Sequence, residues 1–283
     1  MTGLSSRAML VSLHISQWSA RKLDKGETRD VEIKHGVKSN VARVNKSLLP
    51  GAESLDAIHK LSGTIRTEFY RRSLPWSHGT QIIKSTGFLE FNEVMSNYRT
   101  ERAHLVDAFC ADYPLLKADA PQKLKGLYRE EDYPPVSEIR HKFHMGVSYM
   151  PVPDAADWRV DVSDENLEVL RESITRNVER SVGEAMQDAW KRIYDTVSKI
   201  HERLADPDNI FRDSLVENAV DLCRILPDLN INDDPNLEAL RRELEGSICN
   251  TTPDTLRNSV GQRERVADKM ADIMAKMGAF YAA

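Results

Sequence analysis

The chain has 283 residues, 41% of them hydrophobic, and a formal net charge of −5. That length supports one large domain or two modest ones, with enough apolar content for a sizeable core. Its three cysteines, Cys110, Cys223 and Cys249, are odd in number and far apart, which argues against a disulfide framework and for a reducing compartment. No run reaches the ~18–20 apolar residues of a membrane-spanning helix. The N-terminal run 8–15 contains polar residues, unlike a signal peptide. The expectation is a soluble, cytoplasmic protein.

Charge is unevenly distributed. Residues 1–84 hold 14 Lys/Arg against 7 Asp/Glu, a net of +7, whereas residues 85–283 hold 25 against 37, a net of −12. A basic face for nucleic acid or another anion is one reading. Attraction between the two halves, in the fold or in an oligomer, is the preferred one, because the basic residues form no run.

In chain order, residues 9–18 alternate, with Met9, Val11, Leu13 and Ile15 on one face and Ser12, His14 and Ser16 on the other, which predicts a half-buried strand. A basic helix is predicted over 27–49 from Ile33, Val37, Val41, Val44 and Leu48, with Gly36 weakening its middle. A second helix, 52–72, carries Leu55, Ile58, Ile65 and Phe69 on one face. Residues 74–79 read as a turn and 81–85 as a short strand. A helix from Phe88 to about Tyr113 is expected to end at Pro114, followed by a shorter one over 118–128 and a loop at 130–135. One helical turn or more is expected over 137–142. The alternation Phe143, Met145, Val147, Tyr149 predicts a strand, and Trp158, Val160 and Val162 a second. The two make a hairpin, 143–150 with 157–162.

The most legible stretch is 163–204. Leu167, Leu170, Ile174, Val178, Val182, Met186, Trp190, Ile193, Val197, Ile200 and Leu204 recur every three or four residues, the stripe of one amphipathic helix. Ser163 is placed to cap it and Pro207 to stop it. At 1.5 Å per residue it is about 60 Å long, so it needs cover from other elements or from another chain. A helix from Asp208 or Asn209 to Leu226, stopped by Pro227, follows. A short helix carries Leu237, Leu240 and Leu244, and a last one spans about Gly261 to Tyr281.

Tests for chemistry return little. His141 and His144 are three apart, but no third ligand has a fixed spacing, so a structural role is preferred over metal binding. His14, on the polar face of a strand, reads as exposed or hydrogen-bonded rather than a base. Glu130, Glu131 and Asp132 are contiguous and read as a solvated loop rather than a cation site; Asp154, Asp157 and Asp161 read as turn formers. Cys110 reads as a core thiol. Neither a phosphate-binding glycine loop nor a nucleophile elbow is present. No catalytic residue, metal or cofactor is expected. Arg66, Tyr70, Arg71, Arg72 and Trp76 are the candidate single-stranded nucleic-acid patch, since stacking plus phosphate contacts need that mixture. Met186, Trp190, Met270 and Met277 are the candidate partner or oligomer interface, although methionine also fills core gaps.

Certain segments, taken together, resemble a known family. They are Ser-Leu-His-Ile-Ser-Gln-Trp-Ser-Ala-Arg-Lys-Leu at 12–23, Leu-Pro-Trp at 74–76, Arg-Glu-Glu-Asp-Tyr-Pro at 129–134, Pro-Val-Pro-Asp at 151–154, Trp-Arg-Val-Asp at 158–161 and Phe-Arg-Asp-Ser-Leu-Val-Glu-Asn at 211–218. Across most of its length the chain is similar to an uncharacterised bacteriophage and bacterial family. Genes of that family often lie near those of a MoxR-type AAA+ ATPase and a von Willebrand A-domain protein. The resemblance implies a setting, and brings no activity or catalytic residue with it.

The sequence therefore predicts a mostly helical α+β fold: a small antiparallel sheet flanked by helices, with a basic N-terminal third, over 1–162, then a helical part over 163–283. The expected function is that of a non-enzymatic oligomerising adaptor or scaffold of phage type, working with an AAA+ ATPase. The alternative is a single-stranded DNA binding or annealing protein, by analogy of a hairpin followed by a long helix. The third reading is a metal-dependent enzyme.

Overall fold

The computed structural model describes residues 3–155, 164–206 and 208–281. The chain is mostly helical α+β with a small antiparallel sheet. A short helix α1 (Leu4–Arg7) leads into β1 (Ala8–Ser16), a short strand β2 (Arg21–Leu23), helix α2 (Lys25–Lys34) and strand β3 (Asn45–Ser47). Then come α3 (Glu53–Arg71), β4 (Leu74–Ser77), β5 (Thr80–Lys84), α4 (Phe88–Leu124), α5 (Val136–Ile139) and β6 (His144–Pro151). The C-terminal part is α6 (Asp164–Leu204), α7 (Ser214–Leu229), α8 (Pro235–Leu244), α9 (Pro253–Asn258) and α10 (Val260–Tyr281). One sheet has the order β4-β5-β1-β6, and β2 pairs with β3 in a separate ribbon. The predicted second hairpin strand, 157–162, lies outside the described residues.

The chain forms two compact units, interleaved in sequence. The first comprises residues 1–12, 69–92 and 148–283; the second comprises 13–68 and 93–147. The boundaries fall within β1, α3, α4 and β6 rather than in linkers.

The first unit is organised around the second half of α6. Ala185, Ala189, Ile193, Val197, Ile200 and Leu204 are buried on one stripe, the three- and four-residue spacing that places side chains on a single helical face. Helix α10 packs along this stripe with Val266, Met270, Ile273 and Met277, and β4 packs on α6 with Leu74. The alanines at 185, 189 and 267 let backbones approach. Helices α7 and α8 complete the core.

The C-terminal carbonyls of α6 are held by Arg263 of α10. Its guanidinium, on a residue 8% exposed, donates to the carbonyls of Arg203 (2.7 Å), Leu204 (3.1 Å), Asp206 and Asn209 (2.7 Å), and lies 5.7 Å from the Phe211 ring. A helix end leaves four carbonyls without intrahelical partners, and a buried cation meets that need. The same device recurs on α3, where Arg192 of α6 donates to the carbonyls of Tyr70 (3.1 Å), Arg71 (2.7 Å) and Ser73 (2.8 Å). The loop between α7 and α8 is tied to the sheet by Asp233, which pairs with Arg7 at 2.7 Å and Lys84 at 2.5 Å.

In the second unit, Ala20, Leu48, Leu55, Ile58, Phe109, Tyr113 and Ile139 form the main core, and Trp18 meets Tyr113 edge-on at 5.7 Å. Arg102, 3% exposed, donates to the Ser16 carbonyl at 2.9 Å and to Ser62 Oγ at 3.2 Å.

Several elements differ from expectation. The predicted helix 27–49 is present only as α2; beyond it the chain turns at Gly36 (φ +63°) and Asn40 (φ +72°). Of its supposed apolar face, Ile33 and Val41 are 67% and 66% exposed, whereas Leu48 is buried in the core of the second unit. Pro114 does not end α4, which runs through Pro114 and Pro121 to Leu124 and absorbs the predicted helix 118–128. Buried Tyr113, Ala120 and Leu124 hold the chain on course across the bond each proline removes. Likewise Pro227 lies inside the last turn of α7 rather than stopping it, and α7 starts at Ser214 instead of 208 or 209. Within the predicted turn 74–79, residues 74–77 are strand β4, and the reversal is confined to His78-Gly79, where Gly79 has φ +73°. Asp132, in the predicted solvated loop, is buried, as described below.

Gly87 precedes α4 and faces Asp228 so closely that a Cβ would lie 2.7 Å from its Cγ. For the first core, Ile193→Ala is expected to cost about 2–5 kcal/mol, read as a lowered urea midpoint with an unchanged slope. An equal Ile33→Ala change, at an exposed site, is expected to change the unfolding free energy by under ~0.5 kcal/mol and to leave the midpoint almost where it was.

Candidate functional site

The five residues of the predicted nucleic-acid patch lie on α3, on β4 or between them. Arg66 belongs to the second unit, is exposed, and reaches back to the Ser62 carbonyl at 3.4 Å; Tyr70, Arg71, Arg72 and Trp76 belong to the first. Arg72 pairs with Glu90 at 2.8 Å. Trp76 leans on the first core, and Tyr70, 48% exposed, sets its ring edge against Phe69. The backbone at Tyr70 and Arg71 serves the helix end that Arg192 clamps.

The predicted partner interface also changes character. Met270 and Met277 are fully buried and Met186 nearly so, all within the first core. Trp190 is half-buried, and its Nε1 donates to Asp234 Oδ2 at 3.1 Å. Met186 and Trp190 lie on α6 and Met270 and Met277 on α10, which packs against it, so the middle of the long helix is covered in cis.

The acidic run 130–132 conceals a buried ion-pair network. Asp132, whose side chain is 3% exposed, meets Lys46 at 2.8 Å and Lys22 at 2.5 Å. Lys46, 7% exposed, also donates to the Leu127 carbonyl at 2.7 Å and pairs with Asp24 at 3.3 Å. Burial alone would raise the Asp132 carboxyl, but hydrogen bonds from Lys22 and Lys46 hold it below the ordinary range. Burial likewise opposes the Lys46 charge, and its bonds to Asp132 and Asp24 outweigh that and raise it. Held by one carbonyl and two carboxylates, Lys46 is a staple joining the β2–β3 ribbon to the 127–133 segment. Tyr133 closes the same corner, its hydroxyl donating to the Leu48 carbonyl at 2.8 Å, and burial pushes its phenol to about 12.

The remaining titratable candidates are dispersed. His14, His141 and His144 are exposed. Among the described residues no group of three His, Cys, Asp or Glu could hold a metal ion. Cys110 is half-buried against the second core, and burial pushes its thiol up. Asp154 accepts from Ser5 Oγ at 2.9 Å, and Asp157 and Asp161 lie outside the described residues. A cleft of about 360 Å³ in the first unit is lined by Arg71, Arg192, Asp195, Thr196, Asn218 and Asp221. Its central Arg192 is committed to three carbonyls and to Asp188 at 2.7 Å.

Two segments bury few of their side chains. The first is an arm, residues 21–46. Its β2–β3 ribbon carries α2 and the turns that follow, and only Lys46 in it is buried. It is tied to itself: Asp24 caps α2 by accepting from Gly26 and Glu27, and Thr28 Oγ1 accepts from the Val44 amide at 3.0 Å. It holds eight Lys/Arg against four Asp/Glu, a net of +4, and no Phe, Tyr or Trp. Leu23, Ile33, Val37 and Val41 are exposed on it. The second is the stalk, residues 164–184 of α6. None of its residues 166–184 is buried, although Leu167, Leu170, Ile174, Val178 and Val182 continue the helix's apolar stripe half-buried.

Comparison with protein-family models, with curated proteins and with solved structures returned no match. Among the described residues no helix is long and apolar enough to cross a membrane.

Replacing Lys46 with Met is expected to destabilise the protein at pH 7, because it removes one of the two cations that balance the buried Asp132 carboxylate and leaves Lys22 alone. The Asp24 and Asp132 carboxyls are held low by their partners, so the stability they contribute is present above the unfolded carboxylate value of 3.8 and is lost as pH falls through their lower folded values. The gap in urea midpoint between wild type and K46M is therefore expected to be largest at pH 7 and to shrink below about pH 4.

Proposed function

We propose that the protein is an oligomerising adaptor or scaffold, and that its association surface is the stalk of α6. One observation carries this reading. Over residues 166–184 the helix keeps the apolar spacing of its buried second half, yet no residue there is buried. At 1.5 Å per residue this is about 28 Å of amphipathic helix. Helices of that kind form stably when their apolar face is packed, since propensity alone is marginal. The interface proposed lies on the same rod as Met186 and Trp190, two of the four residues expected to form it, but nearer the N-terminus.

The family resemblance supplies a setting for such an assembly: a phage or bacterial protein acting with an AAA+ ATPase in the cytoplasm. Single-stranded DNA binding is the second reading. The observation favouring it is the basic arm, not the Arg66–Trp76 patch.

Light scattering coupled to size exclusion tests the first reading. The wild-type chain is expected to exceed its 32.1 kDa monomer mass at tens of micromolar. A Leu170→Glu, Ile174→Glu variant is expected to run as the monomer with the far-ultraviolet circular dichroism of wild type, because both side chains are only half-buried and lie outside the core. A wild type that stays monomeric up to several hundred micromolar would sink the proposal.

A further inference from the structure

We infer that the stalk of one copy is covered by the arm of a second copy, a contact that rests on the self-association proposed above. Among the described residues, the apolar side chains of the arm and of residues 167–178 of the stalk are not buried. Their chemistry is matched. The stalk presents aliphatic Leu167, Leu170, Ile174 and Val178, and the arm presents aliphatic Leu23, Ile33, Val37 and Val41. Their charges are opposite. Residues 164–184 hold six Asp/Glu against three Arg, a net of −3, and residues 21–46 have a net of +4.

Two alternatives fit less well. A stalk pairing with a second stalk would bring two segments of net −3 together, and like charges disfavour that contact. A nucleic acid on the arm would find phosphate partners but no ring to stack on, since residues 21–46 contain no Phe, Tyr or Trp. Exposed valine and isoleucine between lysines and arginines instead suit an acidic amphipathic helix, whose apolar face enters the contact while its rim charges steer it. The internal ties of the arm, Asp24 on the first turn of α2 and Thr28 on Val44, hold it folded before it docks.

An arm-to-stalk contact uses two different patches, so a copy lacking one patch still offers the other. This gives a test by complementation. The arm variant is Ile33→Glu, Val41→Glu; the stalk variant is Leu170→Glu, Ile174→Glu. Each alone is expected to run as a 32.1 kDa monomer in light scattering, with the circular dichroism of wild type. Mixed in equal amounts, they are expected to form a complex of twice that mass and no larger, because each copy has one working patch. Raising salt from ~50 mM to ~500 mM is expected to weaken the mixed complex at least several-fold, as screened charges require.

Other outcomes overturn the inference in distinguishable ways. If the arm variant assembles like wild type and the mixture forms nothing new, the stalk pairs with itself: the inference fails and the self-association reading stands. If wild type is already a monomer, that reading fails as well. If the arm variant keeps its mass but loses binding to a labelled oligo-dT strand, the arm serves nucleic acid instead.

Discussion

Everything in the first unit depends on one apolar stripe, the second half of α6. From Ala185 to Leu204 it offers a buried residue at each turn, and the sheet and helices around it are arranged to cover that face. Leucine, isoleucine and methionine side chains buried at this level contribute about 1.5–3 kcal/mol each before entropy is counted. A helix docked so firmly needs its free carbonyls satisfied, and Arg263 does this from the helix that provides most of the cover. Packing and polar satisfaction are therefore supplied by the same element. Arg192 extends the arrangement: it lies on α6, yet its guanidinium closes the end of α3.

The second unit solves a different problem. Its core is aromatic, built on Phe109, Tyr113 and Trp18, and its loops are anchored by polar atoms that cannot reach water. The Lys46 ammonium, fixed among two carboxylates and a carbonyl, replaces the apolar contacts that the thin β2–β3 ribbon cannot make. Buried charges of this kind bring little net stability over an apolar substitute, but removing one partner is costly. They fix which segment meets which, and so hold the base of the arm.

How much of this was legible in the sequence follows from what each feature rests on. Helices α3, α6 and α10 are long and periodic, and their spacing alone located them within a few residues. Strand β1 was located by its alternation, but Ser12, expected on the polar face, is buried there with Leu10. The arm misled because Ile33, Val37 and Val41 are spaced like a helix stripe, while Gly36 and Asn40 break the backbone between them. The methionines at 270 and 277 are chemically fit for an interface or a core, and only their burial decides. Three arginines, at 102, 192 and 263, bind carbonyls distant in sequence, and no spacing rule marks such a residue. The lysine–aspartate staple was hidden for the same reason: Asp132 sits in an acidic run that looks solvated until Lys22 and Lys46 arrive from a hundred residues earlier. Pro114 and Pro121 showed that a helix stop is a local preference that packing on both sides can override.

The interleaved order of the two units bears on how the chain is made. The second unit lies entirely within the first 147 residues, so its parts have all been synthesised while α6 is still to come. The first unit holds both the opening residues and the last helix. The buried stripe of α6 ends at Leu204 and its principal cover, α10, ends at Tyr281, 77 residues later. At ribosomal rates of about 5–20 residues per second this is on the order of 4–15 s during which the stripe has only β4 and the emerging α7 and α8 to shield it. A growing chain in that interval leaves the part of the stripe that α10 will cover exposed to water. Self-assembly, if it began there, would join chains before either had its last helix. The order of the helices along the gene thus sets a deadline: intramolecular cover by α10 must win over contact between neighbouring nascent chains.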